Sequence, residues 1–270
     1  MGHVFSWQEA QAYQDWTRKH SGRLAFAIEK ETIQRVWTPR RGQRLLDVGC
    51  GGGLFTEWFT EQGLQVTGLD PSVPMLNLAR LRLPRRVSLE RGYAEDLPFP
   101  DNSFDVVALI TTLEFVNDPL QALREACRVA REKIFLGVLN KYSLIAWQRR
   151  LERFWKPSIY QHARFFGILE LQRLLREVLN GPVPTRWRTC LTFPLYTVTL
   201  LQALERSPYF QWHPLGHFIA MSVDLRYILR TLQQPLFHQV PSGVGPSQPH
   251  PTCWLIAQRQ RQDHRPCANF

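Results

Sequence analysis

The sequence predicts an α/β fold built on a mostly parallel sheet, and three observations carry that prediction. The strand-like run Leu45-Leu46-Asp47-Val48 passes through Gly49, Gly51, Gly52 and Gly53 straight into the helical pattern of 54–59. Continuous apolar runs at 105–110 and 134–139 are those of strands buried on both faces of a parallel sheet. Segments with apolar residues at helical spacing lie between the strands, among them Leu120, Leu123, Ala126, Cys127 and Ala130.

The 270 residues suffice for one α/β domain with elaborations, whose core closes without covalent staples. Cys50, Cys127, Cys190, Cys253 and Cys267 lie far apart with no C-x-x-C pair. The eight histidines are equally scattered, so no metal site and no disulfide framework is expected. The first nine residues carry no basic stretch followed by an apolar core, and with the cysteine usage this gives a cytoplasmic expectation. The formal charge of +10 admits nucleic acid, an anionic membrane or an acidic substrate as partner. Much of it falls in 141–164, where Lys141, Arg149, Arg150, Arg153, Lys156 and Arg164 face only Glu152. A solvated helix face and a binding patch for RNA or a peripheral membrane contact are the two readings of that segment.

Taken in order, residues 1–40 form an N-terminal helical cap. Phe5, Trp7, Tyr13 and Trp16 precede Gly22, and apolar residues at helical spacing over 24–36 predict an amphipathic helix beside the sheet. Tyr13 and Trp16 are read either as a lid or as core. Pro39 and Gly42 end the cap before the first strand.

The turn that follows needs glycine because the chain must reach positive φ and come close to a ligand with no Cβ in the way. Free N–H groups at the start of the helix beyond it then face whatever binds. A dinucleotide G-x-G-x-x-G spacing fails, since Leu54 and Thr56 occupy the positions where the final glycine would stand. The chain reads G-x-G-x-G instead, and the next strand, 65–70, ends on Asp70. A carboxylate there can accept hydrogen bonds from both hydroxyls of a ribose.

With these residues the stretch resembles the class I S-adenosylmethionine-dependent methyltransferases, in the broad group that includes the ubiquinone and menaquinone C-methyltransferases. The resemblance runs from about Tyr13 to about Ser143 and continues in Asp70-Pro71-Ser72, Met75-Leu76 and the block 92–105. It implies a Rossmann-like seven-stranded mostly parallel sheet with helices on both faces, an N-terminal helical lid and a C-terminal insertion. It also implies S-adenosyl-L-methionine as cofactor. By resemblance Gly49, Gly51 and Gly53 shape the cofactor turn, Asp47 supports it, Asp70 with Pro71 takes the ribose, and Ala94 with Glu95 edges the adenine. Tyr93 stands where the family has Asp or Asn, and a phenol can still accept a hydrogen bond. The backbone of Thr111 to Leu113 is expected near the methionine part, with Glu114 and Phe115 toward the substrate.

Ser72 is placed to cap a helix with Pro74 in its first turn, and Asp118-Pro119 opens another with a capping carboxylate and a first-position proline. A third strand is expected at 87–90. Where the family carries a Pro-Gly-Gly turn, this chain reads Arg128-Val129-Ala130-Arg131-Glu132-Lys133. Beyond 141 the likeness fades, and 141–216 is the expected substrate-side elaboration of a domain spanning 41–233. Tyr142 and Tyr160 are further substrate-side candidates. Residues 186–193 alternate like a strand, and 217–225 is its expected antiparallel partner finishing the sheet. The apolar stretch 191–204 is too short to span a bilayer and is read as core, pocket wall or membrane-surface contact. Residues 234–270 are rich in Pro, Gly, Ser and Gln and read as a flexible tail, with an edge strand at 252–257 as an alternative.

The leading functional expectation is in-line transfer of a methyl group from S-adenosylmethionine to a small, apolar or aromatic acceptor. An activated donor leaves the protein chiefly to position and desolvate, so a strong acid or base is not demanded. Glu114 and His162 are the catalytic candidates; Glu114 can equally cap a helix or pair with arginine. RNA methylation and a non-catalytic binding or scaffold role are the alternatives.

Overall fold

A computed structural model describes residues 2–147, 163–194, 201 and 203–225. Its centre is a seven-stranded sheet of order β3-β2-β1-β4-β5-β7-β6. The strands are β1 (Arg44–Val48), β2 (Gln65–Asp70), β3 (Ser88–Arg91), β4 (Phe104–Ile110), β5 (Ala130–Leu139), β6 (Thr185–Cys190) and β7 (Phe218–Asp224). The first five run parallel, and β7 lies antiparallel to both β5 and β6. The strand expected at 217–225 is therefore interior, and β6 is the edge that finishes the sheet. Sequence order predicts the reverse; β7 takes the unpaired side of β5, and β6 pairs with β7 alone. β6 stops at Cys190, where Leu191 takes a left-handed φ of 58° and ends the alternation.

The side chains of β4 alternate between two cores, as a period of two requires. Val106, Ala108 and Ile110 face helices α2 (His20–Val36) and α3 (Leu54–Glu61), with Ile28, Ile33, Trp58 and Phe59 buried against them. Val107 and Leu109 face α5 (Pro119–Val129) and a sixth helix, α6 (Ile168–Val178), through Leu123, Ala126, Leu171 and Leu175. Helices thus cover both faces. The cap comprises α1 (Trp7–Arg18) and α2; α1 opens with a reciprocal capping box between Ser6 and Glu9. In α4 (Val73–Arg82) the Ser72 hydroxyl accepts the Met75 N–H, and in α5 the Asp118 carboxylate accepts the N–H groups of Leu120 and Gln121.

No residue separates α5 from β5: the helix ends at Val129 and the strand begins at Ala130. Arg128 takes over the anchoring there. Its guanidinium donates to the carbonyls of Leu97 and Phe99 and pairs with Glu125 and Asp101, clamping the 97–101 loop to the end of α5.

Candidate functional site

The carboxyl ends of β1, β2 and β4 converge with α1 and α2 around a cavity of about 180 Å³. Its floor is the glycine turn. Gly49 and Cys50 both donate to the Leu69 carbonyl, at 2.7 and 3.0 Å, which folds the turn back onto β2. Gly49 sits at φ +73°, and a Cβ there would meet Thr112 Oγ1 at 2.4 Å. Thr112 is needed in that place because its hydroxyl donates to the Val48 carbonyl at 2.7 Å, stitching the end of β4 to the end of β1. Gly51, at φ +52°, has no neighbour closer than Met75 Sδ at 3.9 Å, so a Cβ there would project into the cavity. Gly53 does not line the cavity. At φ +79° it forms the N-cap of α3, and the space a Cβ would need is filled by Ala79 of α4 and by Leu83, which caps that helix's C-terminus.

Two carboxylates face this turn. Asp47 is buried and accepts the Thr56 hydroxyl at 2.6 Å, which fastens the strand end to the first turn of α3. Burial pushes its pKa up to about 7; the Thr56 bond opposes the rise and the Asp70 charge adds to it. Asp70 accepts the Gly51 N–H on Oδ2 and the Ser72 N–H on Oδ1, both at 2.8 Å. Burial raises its pKa to about 6 against the lowering effect of those two bonds. Each carboxylate oxygen has more than one acceptor site, so Asp70 keeps capacity toward the cavity it lines.

Pro71, Tyr93, Ala94 and Glu95 form the next stretch of wall. Tyr93 is 37% exposed, while Glu95 turns its Oε1 to the N–H groups of Asn117 and Asp118. Thr111, at a left-handed φ of 51°, and Phe115 line the cavity from the β4 side. Tyr13 and Trp16 close it from α1, their rings 6.2 Å apart. The N-terminal segment straps across this opening: the His3 N–H donates to the Phe115 carbonyl, and Ser72 Oγ donates to the Phe5 carbonyl. Phe5 and Phe115 meet edge to face at 5.1 Å.

Other expected site residues are placed elsewhere. Leu113 is fully buried in the core beneath α5 and does not line the cavity. Glu114 is likewise outside the cavity lining; its Oε1 accepts the Leu139 N–H at 2.6 Å, and burial raises its pKa to about 8. Tyr142 is 65% exposed and stacks against the Lys141 ammonium rather than facing the cavity. Tyr160 and His162 lie outside the described residues, as do Arg149, Arg150, Arg153, Lys156 and the segment 234–270. Lys141 and Arg164 both bind Glu170. Among the described residues no group of His, Cys, Asp and Glu could hold a metal ion, and no helix is long and apolar enough to cross a membrane.

Sequence reasoning missed most of the far wall, of which only Leu191 falls in a stretch read as a possible pocket wall. Phe26 and Glu29 of α2, Phe55 of α3, Ile145, Leu191 and His217 all line the cavity. Phe26 and Glu29 share one helix face three residues apart, a usable signal; His217 offers none, being an isolated histidine next to a strand.

Residues 46–136 match the family described as methyltransferase domain. The chain is 37% identical over 147 residues to a ubiquinone biosynthesis O-methyltransferase of Idiomarina loihiensis, covering 49% of this chain and 59% of that one. The chain spans about half the length of the curated relatives it matches first. It is 30% identical over 171 residues to an uncharacterized protein of Methanocaldococcus jannaschii, covering 63% of this chain and 77% of that one. In fold it is similar to a SAM-dependent methyltransferase of Thermotoga maritima, with TM-score 0.64, 24% identity, and 81% and 97% of the two chains covered. The matched family region contains the β1 turn, Asp70 and the β4 edge that build the cavity floor, and the chain belongs to the class I S-adenosylmethionine-dependent methyltransferases.

Proposed function

We propose that the cavity binds S-adenosylmethionine and that the protein transfers its methyl group to a small, apolar or aromatic acceptor. The observation that carries this reading is the pairing of Gly51 with Asp70. The turn leaves open a space that any Cβ would fill, and a carboxylate with spare acceptor sites is pinned beside it. Those residues fit a nucleoside with two adjacent hydroxyls. When bound, the cofactor supplies a methyl group already activated on a sulfonium.

The chain's own work is then to hold and to dry. Asp70 accepts the ribose hydroxyls, Ala94 and Tyr93 edge the base, and Gly49 and Thr111 bring backbone close to the remainder of the ligand. Tyr13, Trp16 and the strap at 2–5 exclude water from the reacting end, where ordered nucleophile and donor gain most from positioning. Residues 1–40 act as the cap of a cofactor-binding domain at 41–233, and the chain after 141 supplies acceptor walls through Ile145, Leu191 and His217. The apolar character of Phe26, Phe55, Ile110, Leu139 and Ile145 supports an apolar or aromatic acceptor.

Isothermal titration with S-adenosylmethionine and with S-adenosylhomocysteine tests the reading. Micromolar binding of both is expected, followed by labelled methyl transfer to phenolic acceptors. Failure of both to bind would overturn it and favour a scaffold role.

A further inference from the structure

A single buried asparagine gathers exposed apolar side chains at the acceptor end of the sheet. Asn140 directly follows β5 and is fully buried. Its Nδ2 donates to the carbonyls of Pro214 and Gly216, both at 2.7 Å, and its Oδ1 accepts the Tyr142 N–H at 3.0 Å. Leu215 and Tyr142 are thereby held beside it. Gly167 lies against the Tyr142 ring, where an added Cβ would meet Cε2 at 2.7 Å, and this brings the start of α6 with Leu169 to the same place. Ser143 caps a helical turn at 144–147, its Oγ accepting the Ala146 N–H at 3.0 Å. Within that turn Ile145 lines the cavity, whereas Leu144 and Trp147, three residues apart, share an outward face. Tyr142, Leu144, Trp147, Leu169 and Leu215 are all between 50% and 76% exposed.

Large apolar side chains facing water around one hub mark an interaction surface, and charge and side-chain type select what it meets. Lys141 and Arg164 stand at the same rim. Both bind Glu170 of α6, the Lys141 ammonium also lies 5.1 Å from the Tyr142 ring centroid, and the two side chains stay 38% and 57% exposed. The sequence from Lys141 to Arg164 carries six basic residues against one acidic, so an anionic surface is attracted to this part of the chain. Tyr and Trp with aliphatic neighbours and flanking cations suit a lipid–water boundary, where apolar side chains enter the acyl region and cations meet headgroup phosphates. Single-stranded RNA would stack on the rings but has no use for three exposed leucines. Behind the rim, Leu139 and Ile145 are apolar cavity wall, and no Lys or Arg is among the described residues lining the cavity. An acceptor arriving from lipid thus meets apolar surface from rim to cavity.

We propose that this rim docks the protein on an anionic lipid surface, with Tyr142, Leu144, Trp147, Leu169 and Leu215 entering the headgroup boundary. The contact places the acceptor end of the cavity at the membrane, so the class of acceptor it serves is an apolar compound dissolved in lipid. That use of the surface rests on the methyl-transfer reading above; the docking itself does not.

The test sediments the full chain with vesicles of phosphatidylcholine, with and without phosphatidylglycerol. The wild type should bind the mixed vesicles more tightly than the neutral ones and should be released in part by added salt. Leu144→Gln combined with Trp147→Gln removes two outward side chains and leaves Ile145 in place. This double variant should keep the wild-type melting temperature and S-adenosylhomocysteine affinity while vesicle binding weakens about tenfold or more. Leu81→Gln, which changes a still more exposed leucine near the end of α4, should bind vesicles as the wild type does. Lipids with brominated acyl chains should quench wild-type tryptophan fluorescence and quench that of Trp147→Phe less. Absence of vesicle binding, or equal binding by the wild type and the double variant, would overturn the proposal. So would retardation of single-stranded RNA that the double variant loses, with no vesicle binding, or a wild-type dimer in light scattering that the double variant dissociates, since each gives the rim another occupant. Titration of S-adenosylhomocysteine on the same samples separates the two readings. Vesicle binding without cofactor binding would sink the methyl-transfer reading and leave the docking, and cofactor binding without vesicle binding would do the reverse.

Discussion

The Asp70 carboxylate accepts the Gly51 N–H at 2.8 Å across 19 residues of sequence. One bond thereby joins the end of β2 to the middle of the glycine turn after β1, and it fixes the carboxylate at the cavity floor. The second oxygen is held by the Ser72 N–H, next to the cap of α4. Asp70 is thus positioned by backbone alone, which leaves no flexible side chain to disturb its aim.

Replacing Asp70 with Ala strips acceptors from both N–H groups and from any ribose bound there. S-adenosylhomocysteine binding should weaken by about 1–3 kcal/mol in calorimetry. In the wild type the same affinity should hold above neutrality and fall as pH drops through about 6, because protonation turns an acceptor into a donor. An affinity indifferent to both changes would remove Asp70 from the ribose role.

Gly49 and Gly51 both adopt positive φ, yet their alanine variants should fail differently. Gly51→Ala meets only open cavity, so strain of about 1–2 kcal/mol should lower the melting temperature modestly while cofactor affinity collapses. Gly49→Ala drives a methyl into Thr112 and breaks the tie to Val48, so stability itself should fall by the larger amount. Thermal melts paired with titrations separate the two; equal melting temperatures with equal affinities would refute the contrast.

The same distinction between local and distant causes governs what was legible in the sequence. The parallel core could be read because 105–110 and 134–139 are apolar on both faces, and α4 and α5 because Ser72 and Asp118 announce their caps. Gly49, Gly51 and Asp70 could be read because a turn's demand for glycine is local. β7 slipping between β5 and β6 could not, since strand order there depends on a long-range pairing. Nor could Phe26, Phe55 and His217: each carries the pattern of an ordinary core residue, and only the closure of α2 and α3 over the sheet edge turns it toward a cavity. Leu113 and Glu114 show the converse, lying beside Thr112 in sequence but facing the core.

The pH dependence of the free protein should report Asp47. Its folded pKa, about 7, is above the unfolded value near 3.8, so its contribution to stability is fully present below the unfolded pKa and is lost as pH rises through about 7. Asp47→Asn keeps an oxygen for the Thr56 hydroxyl and removes the charge. Its melting temperature without ligand should therefore decline less between about pH 5 and pH 8 than that of the wild type. Parallel declines would show that the carboxylate is not the group being titrated.

Glu114 separates structural from chemical use of a buried acid. Its Oε1 accepts the Leu139 N–H, and Leu139 ends the strand beside the acceptor wall. With a pKa raised by burial to about 8, the side chain is largely protonated at neutral pH, and Gln reproduces both its shape and its acceptor. Below about pH 4.5, where the carboxyl is protonated both folded and unfolded, Glu114→Gln should melt within about 0.5 kcal/mol of the wild type, while Glu114→Ala, which orphans the Leu139 N–H, should lose about 1–3 kcal/mol. Between about pH 4.5 and pH 8 the order should change: the unfolded chain ionises while the folded carboxyl stays protonated, so wild-type stability falls as pH rises and the Gln variant becomes the more stable protein, by a margin that stays constant above pH 8. Methyl transfer should follow stability in this series, with Gln active and Ala impaired. A Gln variant that folds and binds S-adenosylhomocysteine normally but transfers no methyl group would instead place the Glu114 proton in the reaction.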